Sequence, residues 1–289
     1  MNAWTKIAAL ALVCAVALCA CTSSPAPDTQ TPPGPQETAS PTETQTLIPA
    51  PSRETSEDPP EETPEPAPEA TLTPWPVNAD IGLSVTTWNE SYKEGGDLCL
   101  TASISLPAFS GVSDSIPDFY AYLLEDLQRS AQGWADMAKA EKADGSLTRP
   151  YAINQSFTVE CNSARIISVR RMGELDMGGM HADTTVWCET FSADSGIWLN
   201  LDDFFTVPSE EYISVLLDKV IGELGKNTPD YFEDWRETAE RELPRAAFCV
   251  SPEGLSFFYP ELTLGPYALG VVRADIPWGD LEGIWTFPE

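Results

Sequence analysis

The side chain most often used for acid–base chemistry, histidine, occurs once in this chain, at His181. A single histidine excludes an HExxH motif and any zinc site that needs several histidines. It also excludes a Ser-His-Asp site in which a second histidine has a role. His181 can act as a lone base, but a histidine just after Gly178 and Gly179 more often caps backbone groups in a turn. We therefore predict a structural turn, in which the glycines adopt backbone angles that other residues avoid.

Carboxylates are abundant, and a glycosidase needs only two of them on either side of a sugar. Residues 80–289 contain 35 Asp and Glu, so close pairs are unavoidable and carry no information. Asp202-Asp203 and Glu210-Glu211 are explained by loop solvation and by favourable charge at a helix N-terminus. The sequence contains no glycine-rich phosphate loop. We therefore expect that the protein is not an enzyme, and that it has no catalytic residue, no cofactor and no metal.

Four cysteines occur in predicted strands of the C-terminal region, at Cys99, Cys161, Cys188 and Cys249. In an exported domain, four cysteines permit two disulfides with three possible connectivities. Cys161 and Cys188 flank one predicted strand and could meet across neighbouring strands. Buried free thiols are the alternative, and the sequence leaves both open. Wide spacings without a CxxC pair argue against zinc.

The charge balance restricts the partners of the protein. Its 289 residues include 45 Asp and Glu but 16 Lys and Arg, for a formal charge of −29. Residues 80–289 alone contain 35 acids and 14 bases. Because nucleic-acid binding needs lysine and arginine side chains that neutralise phosphates, we predict no nucleic-acid partner. A cationic partner would instead be attracted, mainly through faster encounter.

The first 20 residues are typical of a lipoprotein signal peptide. Lys6 precedes an uncharged apolar run, 7–20, that is shorter than the ~20 residues of a spanning helix. The run ends in Leu18-Cys19-Ala20-Cys21, which resembles the lipobox read by a lipoprotein signal peptidase. This resemblance implies a diacylglycerol on Cys21 and a lipid anchor on the extracellular face of the bacterial cell membrane. The alternative is an ordinary cleaved signal and a released protein.

The segment after the signal has a different composition from the rest of the chain. Positions 22–78 contain 15 of the 26 prolines and ten acids against one base, Arg53. Large apolar residues are almost absent, so the segment cannot offset its ordering entropy, and we predict a disordered tether. The predicted organisation is a signal peptide at 1–20, an acidic tether at 21–78 and a globular domain at 79–289.

Hydrophobic periodicity in the globular domain predicts both helices and strands. Apolar residues recur at helical spacing over 116–127 and 213–224, and a third helical stretch covers 232–243. Strands are predicted at 83–88, 98–106, 157–159, 166–169, 184–191, 247–250, 255–259 and 270–276. Helices and strands do not alternate strictly. We therefore predict an α+β fold, a largely antiparallel sheet packed with two to three helices.

Several short segments together carry a family resemblance. They are Gly178-Gly179-Met180-His181, then Trp198 to Phe205, Gly254 to Tyr259, and Gly265-Pro266-Tyr267-Ala268-Leu269-Gly270. In this order the region from Leu98 to Ile284 resembles the extracellular domain of RsiV-type anti-sigma factors. The same domain accompanies some peptidoglycan deacetylases. The catalytic module of those deacetylases uses several metal-binding histidines, which this sequence lacks.

The resemblance implies an extracellular domain that binds lysozyme, a strongly cationic protein. The first hypothesis is therefore a lipid-anchored binding module of the bacterial envelope that captures lysozyme or another cationic protein. The alternative is a module that binds peptidoglycan or another glycan through tryptophans. Trp134 and Trp235 lie in polar helical stretches, so we expect these two to be the most exposed. A cryptic hydrolase is the third and least favoured hypothesis.

Overall fold

A computed structural model describes residues 81–226 and 230–287. The predicted tether, the signal peptide and the lipidation site Cys21 lie outside the described residues. The described part contains three α-helices and eight β-strands, joined by short 3₁₀ turns. The strands are β1 (Gly82–Glu94), β2 (Asp97–Ser110), β3 (Tyr151–Asn162), β4 (Ile166–Asp176), β5 (Asp183–Ser192), β6 (Ala247–Val250), β7 (Gly254–Tyr259) and β8 (Val272–Pro277). The helices are α1 (Ser115–Asp144), α2 (Ser209–Leu224) and α3 (Trp235–Glu242).

The first five strands form one sheet in the order β1-β2-β3-β4-β5. Gly95 and Gly96 have φ of +62° and +96°, so they make the tight β1–β2 turn without the penalty that a Cβ would bring. Neighbouring strands are antiparallel except β2 and β3, which are parallel and connected by α1. Helix α1 packs mainly on β2. Its buried Ala131, Ala135 and Ala138 are small enough to allow close contact with the sheet.

The last three strands form a second, antiparallel sheet in the order β6-β7-β8. Every residue of β7 is buried, because both faces of this strand are covered. On one face Leu255, Phe257 and Tyr259 pack in a core that includes Leu216 and Val220 of α2. On the other face Phe258 packs with Val186 of the five-stranded sheet. Residues 81–226 and 230–287 therefore form layers in the order α1, large sheet, small sheet, and α2 with α3.

Hydrogen bonds and charge fix the joint between the two sheets. The Ser168 hydroxyl accepts a bond from the backbone N–H of Val250 at 3.0 Å and shares another with Thr190 at 2.9 Å. The Arg170 guanidinium lies 5.2 Å above the Phe258 ring. These contacts connect β4 and β5 to β6 and β7, so the small sheet is held in one position on the large sheet.

A buried ion pair lies on the opposite face of the large sheet, under α1. Arg171 donates two hydrogen bonds to Glu189, one of them from Nε at 2.8 Å, and the two side chains are 6% and 2% exposed. The other carboxylate oxygen of Glu189 and the Tyr120 hydroxyl have no hydrogen-bond partner among the described residues. Burial raises the pKa of Glu189, while Arg171 opposes that rise. The carboxylate therefore depends on Arg171 to remain charged in this position.

The observed fold confirms the predicted class, an antiparallel-rich α+β arrangement with three helices. All predicted strands and helices are present, with longer bounds for α1 and for the first four strands. Among the described residues, no helix combines the length and apolar character needed to cross a membrane.

The buried pair gives a stability prediction. Glu189→Gln leaves the Arg171 charge buried without a carboxylate, so we expect the free energy of unfolding to fall by about 3–5 kcal/mol. Urea denaturation measures this change. The matched control is the double variant Arg171→Met with Glu189→Leu, which removes both charges and should recover most of the loss. Wild-type stability in the single variant would show that the pair is not required.

Candidate functional site

Three segments meet at one end of the domain, and we call them together the loop end. They are the β4–β5 turn (residues 176–182), the β7–β8 connection (260–270) and the segment that precedes α3 (230–234). The Phe232 N–H donates to the Leu264 carbonyl at 2.9 Å, which joins the second and third segments. A Cβ at Gly265 would lie 2.8 Å from the Asp230 carbonyl oxygen, so glycine permits this close approach.

The β4–β5 turn is held by hydrogen bonds to Asp176 and by Arg149. The Gly178 N–H donates to Asp176 Oδ1 at 2.9 Å, and the φ of Gly178 is +83°. Arg149 forms an ion pair with Asp176 at 2.7 Å and donates to the Gly179 carbonyl at 2.9 Å. The turn is thus a defined structure, with Gly178 in a conformation that favours glycine.

The histidine of this turn meets the tyrosine of the distant Pro-Tyr segment. The rings of His181 and Tyr267 stack with centroids 4.0 Å apart and an interplanar angle of 24°. The Tyr267 hydroxyl donates to the Ala182 carbonyl at 3.3 Å. Two of the segments that carried the family resemblance therefore form one contact, although they lie far apart in sequence. The geometry gives His181 a role in joining the turn to the small sheet's connection.

The β7–β8 connection contains an unusual backbone conformation. Leu262 has a φ of +61°, and it is the one described residue other than glycine with a positive φ. A branched apolar side chain is disfavoured there, and such residues concentrate at functional sites. Leu262 is also 63% exposed, so burial does not compensate for its conformation. This combination identifies the connection as a candidate contact surface.

The loop end exposes apolar side chains among carboxylates. Met180 is 92% exposed, and Phe232 and Met177 are 40% and 39% exposed. The three segments contain five acids and no Lys or Arg: Asp176, Asp230, Glu233, Asp234 and Glu261. Burial, followed by the charges of Glu261 and Glu174, raises the pKa of Tyr267. An apolar centre with acidic surroundings is typical of a surface that binds a protein of opposite charge.

The two carboxylate pairs singled out in the sequence, Asp202-Asp203 and Glu210-Glu211, lie in a short 3₁₀ turn and at the start of α2. Asp202 accepts a hydrogen bond from the Tyr212 hydroxyl, and Asp203 accepts one from the Asn200 N–H at 2.7 Å. Glu210 and Glu211 lie in the first turn of α2 and are exposed. Among the described residues, no three His, Cys, Asp or Glu side chains are grouped as metal ligands would be.

The four cysteines of the domain lie in strands, as predicted, and all four are free thiols in the structure. Cys99 packs under α1, and Cys161 lies in the core that surrounds β7. Cys161 and Cys188 do not meet, because β4 lies between their strands. Cys188 instead shares an apolar cluster with Cys249.

The prediction that Trp134 and Trp235 are the most exposed tryptophans is wrong. Trp235 is 7% exposed, because α3 packs it into the core around β7, and Trp134 is half-buried against β2. Trp187 and Trp198 are more exposed, at 39% and 42%. Trp187 belongs to β5, which is an edge strand of the large sheet, and Trp198 forms a bridge with Phe191 of that strand, so one side of each indole remains uncovered.

Sequence reasoning missed the exposed Met180, the strained Leu262 and the contact of Tyr267 with His181. One signal was available: an apolar Met180 inside a Gly-Gly-His turn is costly to expose unless it contacts something. The positive φ of Leu262 had no such signal, because leucine does not predict it.

The glycines of the turn give a matched prediction. Gly178→Ala forces a Cβ into a positive-φ position, 3.0 Å from the Thr148 hydroxyl oxygen, and should lower the free energy of unfolding by about 1–2 kcal/mol. Gly179→Ala meets only a carbonyl oxygen at 3.7 Å and should cost less than half as much. Thermal denaturation of both variants measures the difference. Equal costs would contradict the assigned conformation of the turn.

Comparison with known proteins gives a family match for part of the chain and a shared fold. Residues 202–279 match the family described as "Protein of unknown function (DUF3298)". A solved DUF3298 protein from Bacteroides fragilis NCTC 9343 is 16% identical, with a TM-score of 0.54 over 74% of this chain and 96% of that chain. Another, from Pseudomonas aeruginosa PAO1, is 15% identical, with a TM-score of 0.52 over 75% and 99%. No curated protein matches the sequence. A DUF3298 domain, of a family whose function is described as unknown, is therefore found in this chain at residues 202–279.

Proposed function

We propose that the domain is a binding module of the bacterial envelope that captures a cationic protein at the loop end. In this proposal, a diacylglycerol on Cys21 holds the protein on the extracellular face of the membrane. The observation that carries the proposal is the set of exposed apolar side chains at the loop end, one of them on a positive-φ backbone, in segments that contain five acids and no Lys or Arg. We propose binding and not catalysis; the stack of His181 on Tyr267, which joins two segments of the loop end, supports a structural role for this histidine.

Charge favours a cationic partner over a neutral or anionic one. Ten of the 14 bases in residues 80–289 form ion pairs with acids of the same domain. Most of the 35 acids have no such partner among the described residues, so the surface potential is strongly negative. Arg149, the base beside the β4–β5 turn, is itself paired with Asp176. A basic protein would therefore be steered toward this end of the domain.

Apolar contact would provide affinity once the partner has arrived. Met180 and Leu262 each expose more than half of their surface. Methionine is flexible and polarisable and adapts to the shape of a partner. Interfaces commonly place such residues at the centre and charged residues at the rim. The resemblance to RsiV-type domains makes lysozyme the appropriate probe of this class.

Calorimetric titration of the purified protein with lysozyme tests the proposal. We expect submicromolar binding that weakens as salt rises but persists at physiological ionic strength, because apolar contact is not screened. Met180→Ser removes the most exposed apolar side chain of the loop end and should weaken binding roughly tenfold or more, as for a central interface residue. Thermal denaturation of the same variant should be unchanged, because Met180 packs against little.

Ile197→Ser is the matched control. Ile197 is also highly exposed, at 64%, but it follows β5 at a distance from the loop end along that strand. This variant should bind as the unmodified protein does. Binding that vanishes at physiological salt, or that Met180→Ser and Ile197→Ser weaken equally, would contradict capture at the loop end.

A glycan-binding role is the second candidate, and one observation favours it. Trp187 and Trp198 are both half-exposed on the α1 side of β5, and the Arg171 guanidinium lies 4.9 Å from the Trp187 ring. Phe119 and Phe191 hold Trp198 edge-on, at centroid distances of 5.6 and 5.1 Å. Such fixed indoles can stack on sugar rings. Retention on purified cell wall that is insensitive to salt and lost in Trp187→Ala would support this role; no retention would eliminate it.

A further inference from the structure

Two cysteines from different sheets lie in one apolar cluster. Cys249 of β6 is 1% exposed and packs with Val186 and Phe258, and Cys188 of β5 is packed against the same cluster. Cys188 is an intermediate, partly buried residue, whereas Cys249 is buried. The loop end does not use either thiol.

The joint between the sheets brings these residues together. The Thr190 hydroxyl of β5 is hydrogen-bonded to the Ser168 hydroxyl of β4, which also accepts a hydrogen bond from the Val250 N–H of β6. Strands β5 and β6 are therefore linked at this point through the Ser168 side chain. Cys188 lies two residues before Thr190 and therefore points to the same face of β5. Cys249 directly precedes Val250. Cys188 is packed against the buried cluster that contains Cys249.

The other described cysteines have no comparable neighbour. Cys99 is fully buried among residues under α1, including Ala131 and Ala135. Cys161 faces the core around β7, and β4 separates it from Cys188. Of the cysteine pairs that these four residues could form, the structure brings together Cys188 and Cys249.

We propose that Cys188 and Cys249 are a redox pair that closes into a disulfide joining the two sheets. The oxidant is a small disulfide such as oxidised glutathione, or an exported protein that carries a reactive disulfide. The thiolate of Cys188, the less buried residue of the two, attacks one sulfur of the oxidant and releases a thiolate. Cys249 then loses its proton and attacks the mixed disulfide at Cys188, releasing the second thiolate. Two protein thiols are oxidised, and one disulfide of the oxidant is reduced to two thiols.

The surroundings of the pair make this reaction slow at neutral pH. Burial, and then the Cys249 thiol, raise the pKa of Cys188 well above its ordinary value. Only the thiolate reacts, so the protein resists accidental oxidation when folded. The oxidation rate should rise about tenfold for each pH unit, as the thiolate fraction does. The natural moment of closure is therefore folding in an oxidising compartment, when both thiols are exposed.

Closure would fix the relative position of the two loop-end segments that carry His181 and Tyr267. β5 follows directly from the turn that carries His181, and the small sheet carries Tyr267 in its β7–β8 connection. A covalent bond between β5 and β6 would hold these parts in register even if the stack of His181 on Tyr267 opened. The disulfide itself does not depend on the proposed function, and a chain that binds no cationic protein could still form it.

The test compares the full chain, in detergent, after refolding from the reduced and denatured state at pH 8.5 with and without oxidised glutathione. We expect the peptides that contain Cys188 and Cys249 to become linked, as seen by non-reducing digestion and mass spectrometry. We expect the melting temperature to rise by roughly 5–15 °C and to fall again on reduction. Cys99 and Cys161 should remain available to alkylation after denaturation.

Variants separate this pairing from the alternatives. Cys188→Ser and Cys249→Ser should abolish the linked peptides and the rise in melting temperature, whereas Cys161→Ala, the matched control, should retain both. Mapping of the unmodified chain gives the result even where a variant does not fold. Linkage of any other pair, or four cysteines that stay alkylatable after oxidation, would overturn the proposal.

Discussion

The packing of the small sheet on the large one is the constraint on which the rest of the structure depends. Strand β7 is buried on both faces, so it cannot exist as an exposed sheet and must be covered by α2 on one side and by β4 and β5 on the other. Ser168 fixes the joint at one position through Thr190 and Val250. A hydrogen-bonded hydroxyl inside an apolar interface fixes the position of one sheet on the other and also stabilises the contact. Any sliding of the sheets would leave buried polar groups without hydrogen-bond partners.

The candidate site follows from that joint. Tyr267 belongs to the small sheet's connection and His181 to the large sheet's turn, so their contact exists only when the sheets are docked. The same joint brings Cys188 beside Cys249. The loop end can expose apolar side chains because several hydrogen bonds fix its backbone. Asp176 and Arg149 hold the β4–β5 turn, and the Phe232–Leu264 hydrogen bond joins the segment before α3 to the β7–β8 connection. The surface charge then selects which proteins approach it.

Periodicity in the sequence predicted the class of fold and the position of each element, because amphipathic strands and helices record which face is buried. The extent of α1 to Asp144 was missed, since its second half contacts the sheet through alanines, which give a weak hydrophobic signal. Trp235 looked exposed because α3 is otherwise polar, and its burial depends on the distant β7. The meeting of His181 with Tyr267 depends on tertiary docking, and local patterns in one sequence do not contain it.

Hydrogen exchange of the protein with and without lysozyme, measured by mass spectrometry at physiological salt, tests the central claim most directly. The account predicts that slowed exchange concentrates in peptides covering 176–182 and 260–267, with a smaller effect at 230–234 and none along β1. Protection confined to α1 or to the Trp187–Trp198 side of β5, or no protection at a saturating lysozyme concentration, would contradict capture at the loop end.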